Sequence, residues 1–198
     1  MKKLIALFLC LISLLPCYAL DIKSSEFPDF KQYDEQWANY MYSSYNNEAQ
    51  TIENFGCSLC AMCDIIVYWF DSTVTPIDLA KLSIHKYKSC AYEGGTTSYF
   101  NYAIATDYNF SRVIYTQYLD RVVDCLNSGG LVIATYYIKS ARALHDVCVY
   151  KVNASGTFFF AHNPSSSKNF YQISRNWLER YGVEYFCYWP PNDAMKDK

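Results

Sequence analysis

In CSLCAMCDIIVYWF, positions 57–70, apolar residues recur at helical spacing, and Phe55-Gly56 marks a turn just before them. The pattern predicts a helix over Cys57–Phe70. Further on, Thr75 as N-cap, Pro76 at the first helical position and Asp78 three residues after the cap predict a second helix. Gly94-Gly95 reads as a turn, followed by a helix from about Ser98 to Asp107. RVIY (112–115) is a short strand, and LDRVVDCLNSGG is a helix stopped by Gly129-Gly130. The pattern then changes character. LVIATYYI, HDVCVYKV, TFFFAH and EYFCYW are β-rich runs, interrupted by a short helix near Ser174–Tyr181. Residues 20–55 are polar and aromatic with weak periodicity and read as extended, irregular chain. Helices first and an antiparallel sheet after them predict an α+β domain.

The chain opens MKKLIALFLCLISLLPCYAL, with two lysines, an apolar run from Leu4 to Leu15 and a small residue at Ala19. Those parts predict a signal peptide over 1–19 and a mature chain starting near Leu20, secreted or periplasmic. The apolar run is short for a membrane span, and no later segment is long and apolar enough for one, so stable membrane insertion is not expected. Residues 20–198 are read as a single domain. The formal net charge is −2 with no run of Lys and Arg, which argues against a nucleic-acid partner.

Without the signal peptide the cysteines are Cys57, Cys60, Cys63, Cys90, Cys125, Cys148 and Cys187, an odd number. Cys57, Cys60 and Cys63 stand three apart at the head of the first helix. An iron–sulfur run of that kind needs a fourth cysteine where Val67 stands, and no second C-x-x-C exists for zinc, so neither metal nor cofactor is expected. A dithiol redox pair in GCSLC is a second reading, although the strand and tryptophan that usually precede such a motif are replaced by TIENFG. The third is a nucleophile at Cys57, where the helix terminus is expected to lower the thiol pKa, with Cys60 and Cys63 as small core residues.

A cysteine nucleophile needs a base, and the histidines are His85, His145 and His162. His145 opens HDVCVYKV, and the link NASG makes a hairpin with TFFFAHNP. Pairing outward from that link brings His145 opposite residues 162–164. Alternation allows only one of His162 and Asn163 to face the site, and the register alone does not say which. His85, in a polar helix exit, reads as a surface residue.

Taken in order, QYDEQW (32–37), FGC (55–57), VTPIDLA, EGGTTS, LHDV and HNP resemble the landmarks of exported cysteine peptidases of family thirty-nine, relatives of the bacteriocin-leader peptidases. The resemblance implies a papain-like fold and a peptide or protein substrate. It makes Cys57 the nucleophile and His145 the base. It places Asn163 where the family usually has Asp, accepting the imidazole Nδ1–H, and gives Gln32 an oxyanion-stabilising amide. Two departures stand out: Ser58-Leu59 follows the nucleophile where Gly-Pro is common, and Leu144 precedes the histidine in place of Gly. They keep open a catalytically inactive papain-like binding protein, beside the C-x-x-C oxidoreductase. Hydrolysis is not separable from transpeptidation, and no oligomeric state is implied.

Overall fold

Alternation along the strands settles how the layers stack. In the computed structural model, which describes residues 26–44, 47–70, 73–90, 95–168 and 171–191, the strands are β1 (Arg112–Thr116), β2 (Leu131–Ile138), β3 (Ala143–Val152), β4 (Phe158–His162), β5 (Tyr171–Ser174) and β6 (Gly182–Trp189). They form one antiparallel six-stranded sheet in the order β1-β6-β2-β3-β4-β5. Leu131, Ile133, Cys148, Tyr150, Phe186 and Tyr188 point into one apolar layer; Val132, Ala134, Tyr136, Val147, Val149 and Cys187 point into the other. Both faces are therefore covered, and the strands read as nearly continuous apolar runs.

The helices are α1 (Ile52–Phe55), α2 (Cys57–Phe70), α3 (Pro76–Lys81, continued by a π-helical turn through Lys86), α4 (Ser98–Asp107), α5 (Leu119–Asn127) and α6 (Arg175–Tyr181). α2 lies on the first face against β3, with Leu59, Cys60, Ala61, Met62, Cys63, Ile65 and Ile66 wholly buried. A helix apolar all round its axis belongs inside a domain, and the N-terminal segment wraps it from outside. Phe27, Trp37 and Tyr42 of that segment join its core, and the Phe30 N–H donates to the buried Asp64 carboxyl at 2.8 Å. α5 and α6 cover the second face through Leu119, Val122, Cys125, Leu126 and Leu178.

The α+β reading holds, as do the helices over 57–70 and 98–107. Thr75 makes the expected capping box with Asp78. β5 and α1 were not expected. β5 is four residues long, and α1 is a single turn inside a stretch with no periodicity. The predicted signal peptide and Gly94 lie outside the described residues. No helix among the described residues is long and apolar enough to cross a membrane.

Gly56 separates α1 from α2, and its N–H closes α1 by donating to Ile52 O at 2.8 Å. A Cβ there would stand 2.6 Å from Ile52 Cγ2 and 2.7 Å from Ile52 O. Gly56→Ala is therefore expected to destabilise the fold by about 1–3 kcal/mol, because backbone must move to admit the methyl group. Denaturant unfolding of the variant checks this, and a midpoint equal to that of the unsubstituted chain would refute it.

Candidate active site

Cys57 is the first residue of α2 and lines a cleft of about 580 Å³ that also receives Gln32, His145 and Asp146. Of the seven described cysteines it is the one that is not buried. Opposite it, β3 starts two residues before His145, so the imidazole stands near the strand's open end with Leu144 at the cleft mouth, 54% exposed. The cross-strand neighbour Tyr136 sets its ring edge against the imidazole at 5.4 Å between centroids.

His145 is held by Asn163. Its Nε2 lies 2.8 Å from Asn163 Oδ1, which also accepts the Ser165 backbone N–H at 3.0 Å and the Ser165 hydroxyl at 2.9 Å. A backbone N–H can only donate, so this terminal atom of Asn163 is its oxygen. His145 must then donate from Nε2, and in the neutral ring Nδ1 carries the lone pair. The orienting bond is thus made through Nε2 rather than through Nδ1 as expected.

Sequence reasoning also missed Ser165, whose Oγ is 3.2 Å from His145 Nε2. The signal was present, since Asn163-Pro164-Ser165 is an Asx-turn signature. The register expectation hid it. The hairpin loop is Ala154–Thr157, one residue beyond NASG, with Asn153 N donating to Phe158 O. An irregularity between Val149 and Lys151 then shifts the ladder, so that Cys148 pairs with His162. Carried on at that register, His145 stands opposite Ser165. Asn163 reaches the imidazole from just past the end of β4.

His162 faces the opposite layer. It is buried between Phe27 and Tyr150, with Nδ1 2.6 Å from Pro28 O and 3.6 Å from Asp29. His85 is exposed on the π-helical turn, away from the cleft. The segment 28–33 straps the Asn163 loop: Lys31 Nζ donates to Asn163 O at 3.1 Å and Lys168 O at 3.3 Å, and Gln32 N to Pro164 O at 3.0 Å. The Gln32 side chain lines the cleft, but its amide already donates to Ile52 O at 3.2 Å and Glu53 O at 3.0 Å. It anchors α1 in this arrangement and offers no unengaged N–H to an oxyanion. The N-terminal turn of α2, whose first N–H groups have no partner within the helix itself, remains as a donor.

The electrostatics differ from the expectation. Burial pushes the Cys57 thiol up to about 12, and the neighbouring Asp146 carboxylate adds to the rise. The backbone N–H groups of Asp146, Ser58 and Cys57 oppose both without cancelling them. Burial also lowers the His145 pKa, against the Asn163 hydrogen bond and the Asp146 charge. The two groups therefore rest as a thiol and a neutral imidazole, where the helix terminus had suggested a thiolate. Desolvation of the charged sulfur outweighs the terminal dipole, which is worth about 1 kcal/mol. Cys60 is wholly buried, with its thiol pushed well up by desolvation.

No protein-family model matches the chain, and no curated protein matches it.

Asp146 offers a direct check on this charge balance. Its carboxyl accepts from Thr135 Oγ1 at 2.5 Å, and burial raises its own pKa. Asp146→Asn keeps the shape and removes the charge, so the Cys57 pKa should fall. Iodoacetamide labelling of Cys57 near pH 8 is expected to quicken about tenfold, with its midpoint displaced to lower pH. An unchanged labelling profile would show that Asp146 does not act on the sulfur.

Proposed function

We propose that the protein is an exported cysteine peptidase of papain-like fold, hydrolysing peptide bonds with Cys57, His145 and Asn163. The observation that carries the reading is the Asn163 Oδ1–His145 Nε2 bond, in a cleft that also holds Cys57, the partly exposed thiol among the described cysteines, at a helix N-terminus. Such a bond holds a ring that must accept a proton at one nitrogen while staying fixed at the other. The resemblance across the mature chain supplies the peptide as substrate class.

With thiol and imidazole both neutral, attack and proton transfer go together. Cys57 Sγ adds to the carbonyl carbon as His145 Nδ1 takes the thiol proton. The carbonyl oxygen becomes an oxyanion at the first turn of α2. His145 then protonates the leaving amine, and water, deprotonated by the same nitrogen, releases the acyl group. Ser165 and Lys31 act through Asn163, the first on its Oδ1 and the second on its backbone carbonyl.

The raised thiol, the engaged amide of Gln32 and the exposed Leu144 favour a second reading, an inactive domain that binds extended peptides in the same cleft.

Hydrolysis of a quenched-fluorescent peptide library separates the two. Cys57→Ala and His145→Ala should each lose activity at least a hundredfold. Asn163→Ala should fall clearly, while Asn163→Asp should keep much of the rate. His145 is active as the neutral ring, so the rate rises with pH through its pKa, which lies below the usual histidine value. A carboxylate at position 163 stabilises imidazolium and should move that acid limb to higher pH. His162→Ala should lower stability and leave the profile in place. Peptide binding without turnover, unaffected by Cys57→Ala, would decide for the inactive domain.

A further inference from the structure

The pairing of α5 with β6 brings two cysteines together on the face of the sheet remote from Cys57. Cys125 and Cys187 are both in the apolar layer under α5 and are essentially inaccessible. The Cys125 sulfur lies 3.8 Å from Tyr188 O, the carbonyl next to Cys187, and 3.7 Å from Leu131 O. The Cys187 sulfur lies 4.0 Å from Arg121 O, one helical turn before Cys125. Both stand as free thiols, close enough for the two side chains to interact. Gly130 supplies the room, since a Cβ there would collide with the Cys125 sulfur.

We propose that Cys125 and Cys187 are a disulfide site, oxidised as the exported chain folds. Burial protects both thiols once packing is complete, so the exchange must come before α5 closes on β6. One sulfur, as thiolate, attacks the S–S bond of a small-molecule or protein disulfide, forming a mixed disulfide and releasing one thiolate. The second sulfur, having lost its proton, displaces the other half. Two electrons pass to the oxidant, which leaves as two thiols after taking up the two protons. The bond would join strand to helix across a long loop, the arrangement in which a cross-link restricts the unfolded chain most. It also leaves Cys57 out of the pairing, so an oxidising compartment and a free nucleophile become compatible.

The test is to unfold and reduce the full chain, refold it in a mixture of reduced and oxidised glutathione, and alkylate and map it without reduction. The expected result is a linked pair of peptides carrying Cys125 and Cys187, a mass lower by two hydrogens, and iodoacetamide on Cys57. The oxidised protein should melt roughly 5–10 °C above the reduced one. In Cys125→Ala/Cys187→Ala that difference should vanish while Cys57 labelling stays as before. Alkylation of both cysteines, attachment of either to glutathione or to another cysteine, or a melting difference that persists in the double variant would overturn the proposal.

Discussion

α2 rests on β3, and the cleft owes its layout to that contact. A fourteen-residue helix that is apolar almost all round cannot end in solvent on any side, so the sheet, α3 and the N-terminal segment close over it. What stays open is its first residue. Gly56 lets α1 meet α2 without a side chain between them, and Cys57 emerges there beside the free end of β3. Cys57 is placed by the burial of ten of the thirteen residues behind it.

Period-two alternation divides the labour on β3 and β4. His145 shares its face with Tyr136, while Asp146, the next residue, turns toward α2, where it meets Thr135 and adjoins Cys57. In the same way Asn163 and His162 part company, one to the imidazole and one to the core beside Phe27. Adjacent polar residues in LHDV and AHNP thus do different things. The strap over residues 28–33 adds the long-range constraint, because Lys31 and Gln32 tie down the loop that carries Asn163.

The same burial that builds the site sets its charge state. Removing water from Cys57 and His145 disfavours thiolate and imidazolium together, and Asp146 pushes the sulfur further toward the thiol. The orientation of the uncharged His145 ring then depends on its hydrogen bonds to neighbouring side chains. That dependence gives Asn163 and Ser165 their importance.

Local rules carried much of the fold. The capping box at Thr75, the Gly129-Gly130 stop and the apolar runs of β2, β3 and β6 are decided by neighbouring residues and were legible in the chain itself. The three cysteines and the histidines could be narrowed to Cys57 and His145 on spacing and resemblance. Pairing was not legible, because a loop displaced by one residue and an irregularity at Val149–Lys151 move every partner beyond them, and Ser165 came into reach of His145 that way. Nor were the sign of the Cys57 shift and the engagement of the Gln32 amide, since both follow from atoms distant in sequence: Asp146 against the sulfur, Ile52 and Glu53 against the amide. Periodicity acts within a few residues of chain. Desolvation and hydrogen-bond competition exist only after the layers have closed.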